Sequence, residues 1–184
     1  MLRAVRLAAK LGFEIEPETA QPICEYSHLL ENTHAARLYE EVLKMFLSGH
    51  AHAAFLKLRE FGLFKHLFPQ TEASFDDPIA LALVEQALKN TDERVATDKP
   101  VTPAFLFAAL LWFPILRLLP KCREEGLSEQ DCLVTAIDKV LHRQARTIAI
   151  PRRVSILSHE IWLLQPRLTR PKTKRSFRIT THPR

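Results

Sequence analysis

Four glycines in 184 residues leave this chain very few places to make a tight hairpin. Glycine supplies the positive φ that two-residue β-turns require, so a chain this poor in it, and rich in Leu, Ala, Lys, Arg and Glu, favours helices. Gly12, Gly49 and Gly62 each follow a segment of helical periodicity, where a helix stop is expected. No run of β-branched residues alternates in strand fashion, and no segment repeats at a fixed period. The fold class that follows is all-α, an irregular array of many helices.

The first helix runs to Gly12, with Leu2, Val5 and Ala9 on one side and Arg3, Arg6 and Lys10 along another. No Ser, Thr, Asp or Asn caps its start, and two arginines stand at the positive end of its dipole, so it reads as the middle of a helix. Pro17 opens a second helix, with Ile23, Tyr26, Leu29 and Leu30 as its apolar side and an end near Glu31. Asn32 or Thr33 caps a third, whose core stripe is Leu38, Val42, Met45 and Phe46 and whose C′ residue is Gly49. A short helix over about 51–60 follows, then an apolar turn ending at Pro69. Later helices are expected over about 78–90, over 103–125 with a kink at Pro114, from a cap at Ser128 to about Ile148, and over about 152–164.

A hydrophobic share of 47% against 26% charged residues is enough to bury one or two cores. The net charge of +5 is unevenly placed: all 21 acids precede Ile161, whereas Ile161–Arg184 carries seven bases and no acid. A one-signed tail of this kind points to a polyanion, nucleic acid first. Three cysteines, Cys24, Cys122 and Cys132, lie far apart without C-x-x-C spacing, which fits a reducing cytoplasm. The stretch AFLFAALLWFPILRLL is broken by Pro114 and Arg117 and is too short to span a bilayer, and the start has no signal-peptide pattern. A cytoplasmic protein with no membrane partner is expected.

The common catalytic constellations, a glycine-rich phosphate loop, H-E-x-x-H and G-x-S-x-G, are absent. His50 and His52, two apart at a helix start, diverge and have no ligand at metal spacing. Asp76 and Asp77 before Pro78 read as an N-cap and its neighbour. What remains is basic stripes. Arg3, Arg6 and Lys10 share one helix face, as do Lys139, Arg143 and Arg146, ahead of Arg152 and Arg153. Such rows suit phosphates along a strand, since guanidinium forks bind phosphate oxygens bidentately. Arg37 and Glu41 form an i, i+4 pair, as do Glu40 and Lys44 in the favourable acid-first order. Arg37 stands in a first turn where a cation opposes the dipole, which hints at a tertiary or ligand contact.

The stretch LRAVRLAAKLGFEIEPET, followed by ARLYEEVLKMFLSG, resembles the neck of the class II nucleotidyltransferases, the family of bacterial poly(A) polymerases and CCA-adding enzymes. ALVEQALKNTDERVATDKPVTPAFLFAALLWFP, the AIPRR segment and EIWLLQPRL are similar to the body of the poly(A) polymerase branch. The resemblance implies a neck over 1–68, a body over 69–166 and a basic tail over 167–184. It implies an enzyme that adds AMP from ATP to RNA 3′ ends, in mRNA polyadenylation and decay, with magnesium held by carboxylates of an α/β head.

That head and the E-D-x-x-R motif that precedes L-R-x-x-R in the family are not in this sequence, so Met1 is expected to stand just after that motif's arginine. By resemblance, Arg3, Arg6 and Lys10 face the nucleotide, and Arg37, Glu41 and Lys44 support that helix. Lys139, Arg143, Arg146, Arg152 and Arg153, with Arg167, Arg170, Lys172, Lys174, Arg175 and Arg178 of the tail, hold RNA by its backbone. No cofactor is expected on this chain itself, ATP and magnesium belonging to the full-length enzyme. Without the metal-binding carboxylates the chain alone is expected to be inactive, partnered by RNA 3′ ends and by a head supplied elsewhere. The alternatives are a stand-alone helical RNA-binding module and a fragment of a CCA-adding tRNA nucleotidyltransferase.

Overall fold

Helix follows helix through the computed structural model, which describes residues 1–168, and no strand occurs among them. The helices are α1 (Leu2–Leu11), α2 (Pro17–Glu25), α3 (Ala35–Phe46), α4 (Ala51–Glu60), α5 (Phe64–Leu67) and α6 (Pro69–Glu72), then α7 (Pro78–Ala96), α8 (Pro103–Leu116), α9 (Leu119–Glu124), α10 (Glu129–Gln144) and α11 (Arg152–Leu168). A 3-10 turn over Ser27–Asn32 links α2 to α3.

Several boundaries follow the expected local chemistry. Gly12 ends α1 in the left-handed region, at φ 68°, where glycine carries no steric penalty. The Asp77 carboxylate caps α7 by accepting from the Ile79 N–H at 2.8 Å. Thr102 caps α8 through the Phe105 N–H, and Ser128 caps α10 through the Asp131 N–H.

Other boundaries depart from expectation. The second helix stops at Glu25, not near Glu31, because the chain tightens into the 3-10 turn. Three residues per turn put Ser27 and Leu30 on the inner side, leaving Tyr26 and Leu29 exposed. Asn32 belongs to that turn, so neither it nor Thr33 caps α3; the N-cap is His34, with no side-chain bond. Gly49 is not the C′ residue of α3, which ends at Phe46, but part of the link to α4; a Cβ there would lie 3.2 Å from Val95. The apolar turn before Pro69 is α5, with α6 beyond it.

Helix α7 runs past Asn90 to Ala96, and α10 stops at Gln144, short of Ile148. The expected 103–125 helix is two: α8 ends at Leu116, and α9 begins with Pro120 in its first turn. α11 extends past Leu164 to Leu168, with Pro166 inside it.

Apolar on nearly every side, α8 lies at the centre, and α6, α7, α10 and α11 pack around it. Ser158 and Trp162, one turn apart on α11, donate to the Ala104 and Ala108 carbonyls of α8 at 3.1 and 3.0 Å. On the other side α1 and α7 flank α4. An aromatic chain joins the two sides. Phe55 meets Phe64 edge-on, Phe64 stacks on Phe68, and Phe107 of α8 lies against both Phe68 and Tyr39 of α3.

Candidate nucleic-acid interface

The candidate residues meet around α3. On α1, Arg3 and Lys10 are exposed, but Arg6 turns inward, its side chain 26% exposed, with Nε 4.0 Å from the Glu41 carboxylate of α3. The other Glu41 oxygen lies 3.2 Å from Lys44 Nζ, and Lys44 also approaches Glu40 at 4.0 Å. Glu41 is therefore engaged with Arg6 and Lys44, and the expected Arg37–Glu41 pair does not form. Arg37 is exposed in the first turn of α3, where no acid accompanies it. The three arginines and lysines of the α1 stripe thus divide, two facing solvent and one tying α1 to α3.

The second basic set rides on the corner between α10 and α11. Lys139, Arg143, Arg146, Arg152 and Arg153 are all exposed, and Lys139 alone of these forms an ion pair, 4.0 Å from Glu125, among the described residues. The corner is tied down from beneath. Gln144 is fully buried and donates to the Leu67 carbonyl at 2.8 Å, Thr147 donates to the same carbonyl at 3.3 Å, and Ile148 fills the core. The Ala149 N–H then donates to the Ala35 carbonyl at 3.1 Å, so the corner abuts the first turn of α3.

Tyr39, one turn further along α3, stacks on Phe107 with centroids 5.8 Å apart and planes 11° from parallel. Burial raises the pKa of its phenol, and the nearby Arg153 charge pulls the other way. Sequence reasoning passed over Tyr39 and the Ala35–Ala149 junction. The readable signal was the absence of any acid from Lys139 to His159. Arg167 is exposed in the last turn of α11, and Arg170, Lys172, Lys174, Arg175 and Arg178 lie outside the described residues.

Other polar groups serve the scaffold. His50 precedes α4 as its N-cap, and the Asp92 carboxylate of α7 accepts from the Ala51 and His52 N–H groups at 2.6 and 3.0 Å. Asp76 pairs with Arg117 at 2.7 Å beside the Asp77 cap. A cavity of about 790 Å³ opens between α8 and the ends of α9, α10 and α11, with Trp112, Leu116, Leu119, Leu133 and Leu163 on its walls. Its lining lacks paired carboxylates, and among the described residues no three His, Cys, Asp or Glu side chains gather as metal ligands. No described helix is long and apolar enough to cross a membrane.

The comparisons with known proteins agree along the chain. Residues 12–75 match the family model described as "Probable RNA and SrmB- binding site of polymerase A", and residues 125–184 match "Polymerase A arginine-rich C-terminus". Poly(A) polymerase I of Escherichia coli O6:H1 is 43% identical over all of this chain, and that of Haemophilus influenzae is 38% identical over the same extent. The chain spans 40% of the length of the first and 42% of the second. The CCA-adding enzyme of Anoxybacillus flavithermus is 34% identical over only 45% of this chain. Two matched models on either side of α7 and α8, and relatives aligned from end to end, show that the chain belongs to the bacterial poly(A) polymerase family.

Proposed function

We propose that this chain is the RNA-holding part of a polynucleotide adenylyltransferase, an enzyme that adds AMP from ATP to RNA 3′ ends. The observation that carries this reading is the alignment of the whole chain with proteins named poly(A) polymerase I, where the CCA-adding relative aligns over less than half. In this reading residues 1–68 act as a neck, 69–166 as a body and 167–184 as a basic tail. Arg3 and Lys10 face the nucleotide, and Arg6, held by Glu41, keeps α1 in place for them. Arg143, Arg146, Arg152 and Arg153, together with the tail cations, bind the RNA backbone, which gives sequence-tolerant, salt-sensitive affinity. Three thiols without a disulfide suit a cytoplasmic setting.

Magnesium with ATP is what the family name implies for the transfer. The described residues do not form a carboxylate site for that ion, so no step of the transfer is assigned to them. The test uses the purified 184-residue chain and an end-labelled single-stranded RNA. Binding should weaken linearly on a log–log salt plot, by about 0.7 for each phosphate contact, and no lengthened RNA should appear with ATP and magnesium. Salt-independent or absent binding would overturn the RNA assignment. Template-independent lengthening would overturn the assignment of a purely holding role.

A further inference from the structure

Several of the cations that flank the core are already engaged. Arg59 lies 3.2 Å from Glu72, Arg117 pairs with Asp76, Arg123 forks onto Glu129, and Arg94 donates to the Pro100 carbonyl. Lys44 and Arg6 share Glu41, and Lys89 approaches Glu85 at 3.9 Å. Of the arginines without an ion pair among the described residues, four lie beside one backbone junction: Arg37, Arg146, Arg152 and Arg153. Arg37 is two residues from Ala35, and the other three lie within four residues of Ala149, the two residues whose backbones join at 3.1 Å. The Arg153 charge also acts on Tyr39, on the next turn of α3, where it opposes the effect of burial on the phenol.

Placement and rigidity separate these four from an ordinary solvated face. The segment from Lys139 to His159 contains no acid, and on the α3 side the acids one turn beyond Arg37, Glu40 and Glu41, are engaged by Lys44 and Arg6. Arg37, Arg152 and Arg153 stand in first turns that hold no acid, where a cation works against its own helix. The backbone beneath them is fixed by buried Gln144 and Ile148 and by the Tyr39–Phe107 stack, so their Cα positions are pre-set. A rigid cluster of arginines without ion pairs, drawn from two distant parts of the chain, fits a strand of closely spaced phosphates, whose oxygens accept from guanidinium forks.

We infer that the junction of α3 with the α10–α11 corner is a two-sided phosphate clamp, with Arg37 on one side and Arg146, Arg152 and Arg153 on the other, that grips consecutive phosphates of single-stranded RNA. This rests on the RNA-holding reading above and narrows it. Lys139, engaged with Glu125, lies outside the clamp.

The test measures binding of labelled oligoadenylate to the whole chain over a salt series. The variants are Arg37→Gln, the double change Arg152→Gln with Arg153→Gln, the combination of all three, and Lys89→Gln on α7 as a reference. Circular dichroism melts keep folding apart from binding. Each clamp variant should weaken binding several-fold and lower the salt slope by about 0.7 per arginine removed, while Lys89→Gln leaves both unchanged. Removing Arg37 after the α11 pair is gone should cost less than removing it first, since one strand must touch both sides. Normal binding by the clamp variants, alongside salt-dependent binding by the unaltered chain, would overturn the clamp and leave the RNA reading standing. No RNA binding by the unaltered chain would overturn both.

Discussion

Single side chains here repair what the backbone lacks, and Thr71 shows it best. Pro114 lies inside α8 and has no N–H, so the Leu110 carbonyl four residues earlier loses its helical donor. The Thr71 hydroxyl of α6, itself fully buried, donates to that carbonyl at 2.9 Å. A buried carbonyl without a partner is expensive, so Thr71→Val should destabilise the fold by about 1–3 kcal/mol while Thr71→Ser largely preserves it. Urea unfolding of the two variants checks this; a loss in Thr71→Ser with none in Thr71→Val would mean that the methyl group, not the hydroxyl, matters. Sequence periodicity placed Pro114 in the helix. It did not reveal the donor, which comes from 39 residues away.

Among whole elements, the bounds of α4 were legible, over 51–60, but the residue that caps it was not, because it comes from a distant helix. Asp77, Thr102 and Ser128 sit beside the helices they cap, so each start was readable from its own neighbourhood. The start of α4 has no such residue. Asp92 reaches it from α7, and that duty also explains why α7 continues through the polar run Asn90, Thr91, Asp92 and Glu93, which read as an ending. Thr91 is fully buried in the same turn, with its hydroxyl returned to the Ala87 carbonyl at 2.8 Å. Because Ala51 is completely buried, water cannot replace the carboxylate at its N–H. Asp92→Ala should therefore lower stability by about 1–2 kcal/mol, and amide exchange should rise first at the α4 start. An unchanged exchange rate at Ala51 and His52 would show that α4 is held by packing alone.

For the molecule as a whole, α3 is where separate parts of the chain are made to agree. The aromatic stack through Tyr39 and Phe107 ties it to the core, the Ala35 carbonyl ties it to the α10–α11 corner, and Glu41 ties it to α1. The candidate residues were recognisable as a stripe on α1 and as ion pairs on α3, but their union through Arg6 and Glu41 was not, because i, i+4 spacing within α3 offered Arg37 as the nearer partner. These three ties differ in kind, and that difference is testable. The Arg6–Glu41 pair is partly exposed, at 26% and 18%, so its removal should cost under about 1 kcal/mol overall. Its effect should be local. Leu2, Val5 and Ala9 still bury against the core, so in Glu41→Gln α1 should loosen rather than detach. Hydrogen exchange should accelerate through Leu2–Leu11 while the amides of α8 and α11 keep their protection. If protection falls equally everywhere, α1 is not an independently opening unit, and Glu41 stabilises the entire fold rather than positioning one helix on it.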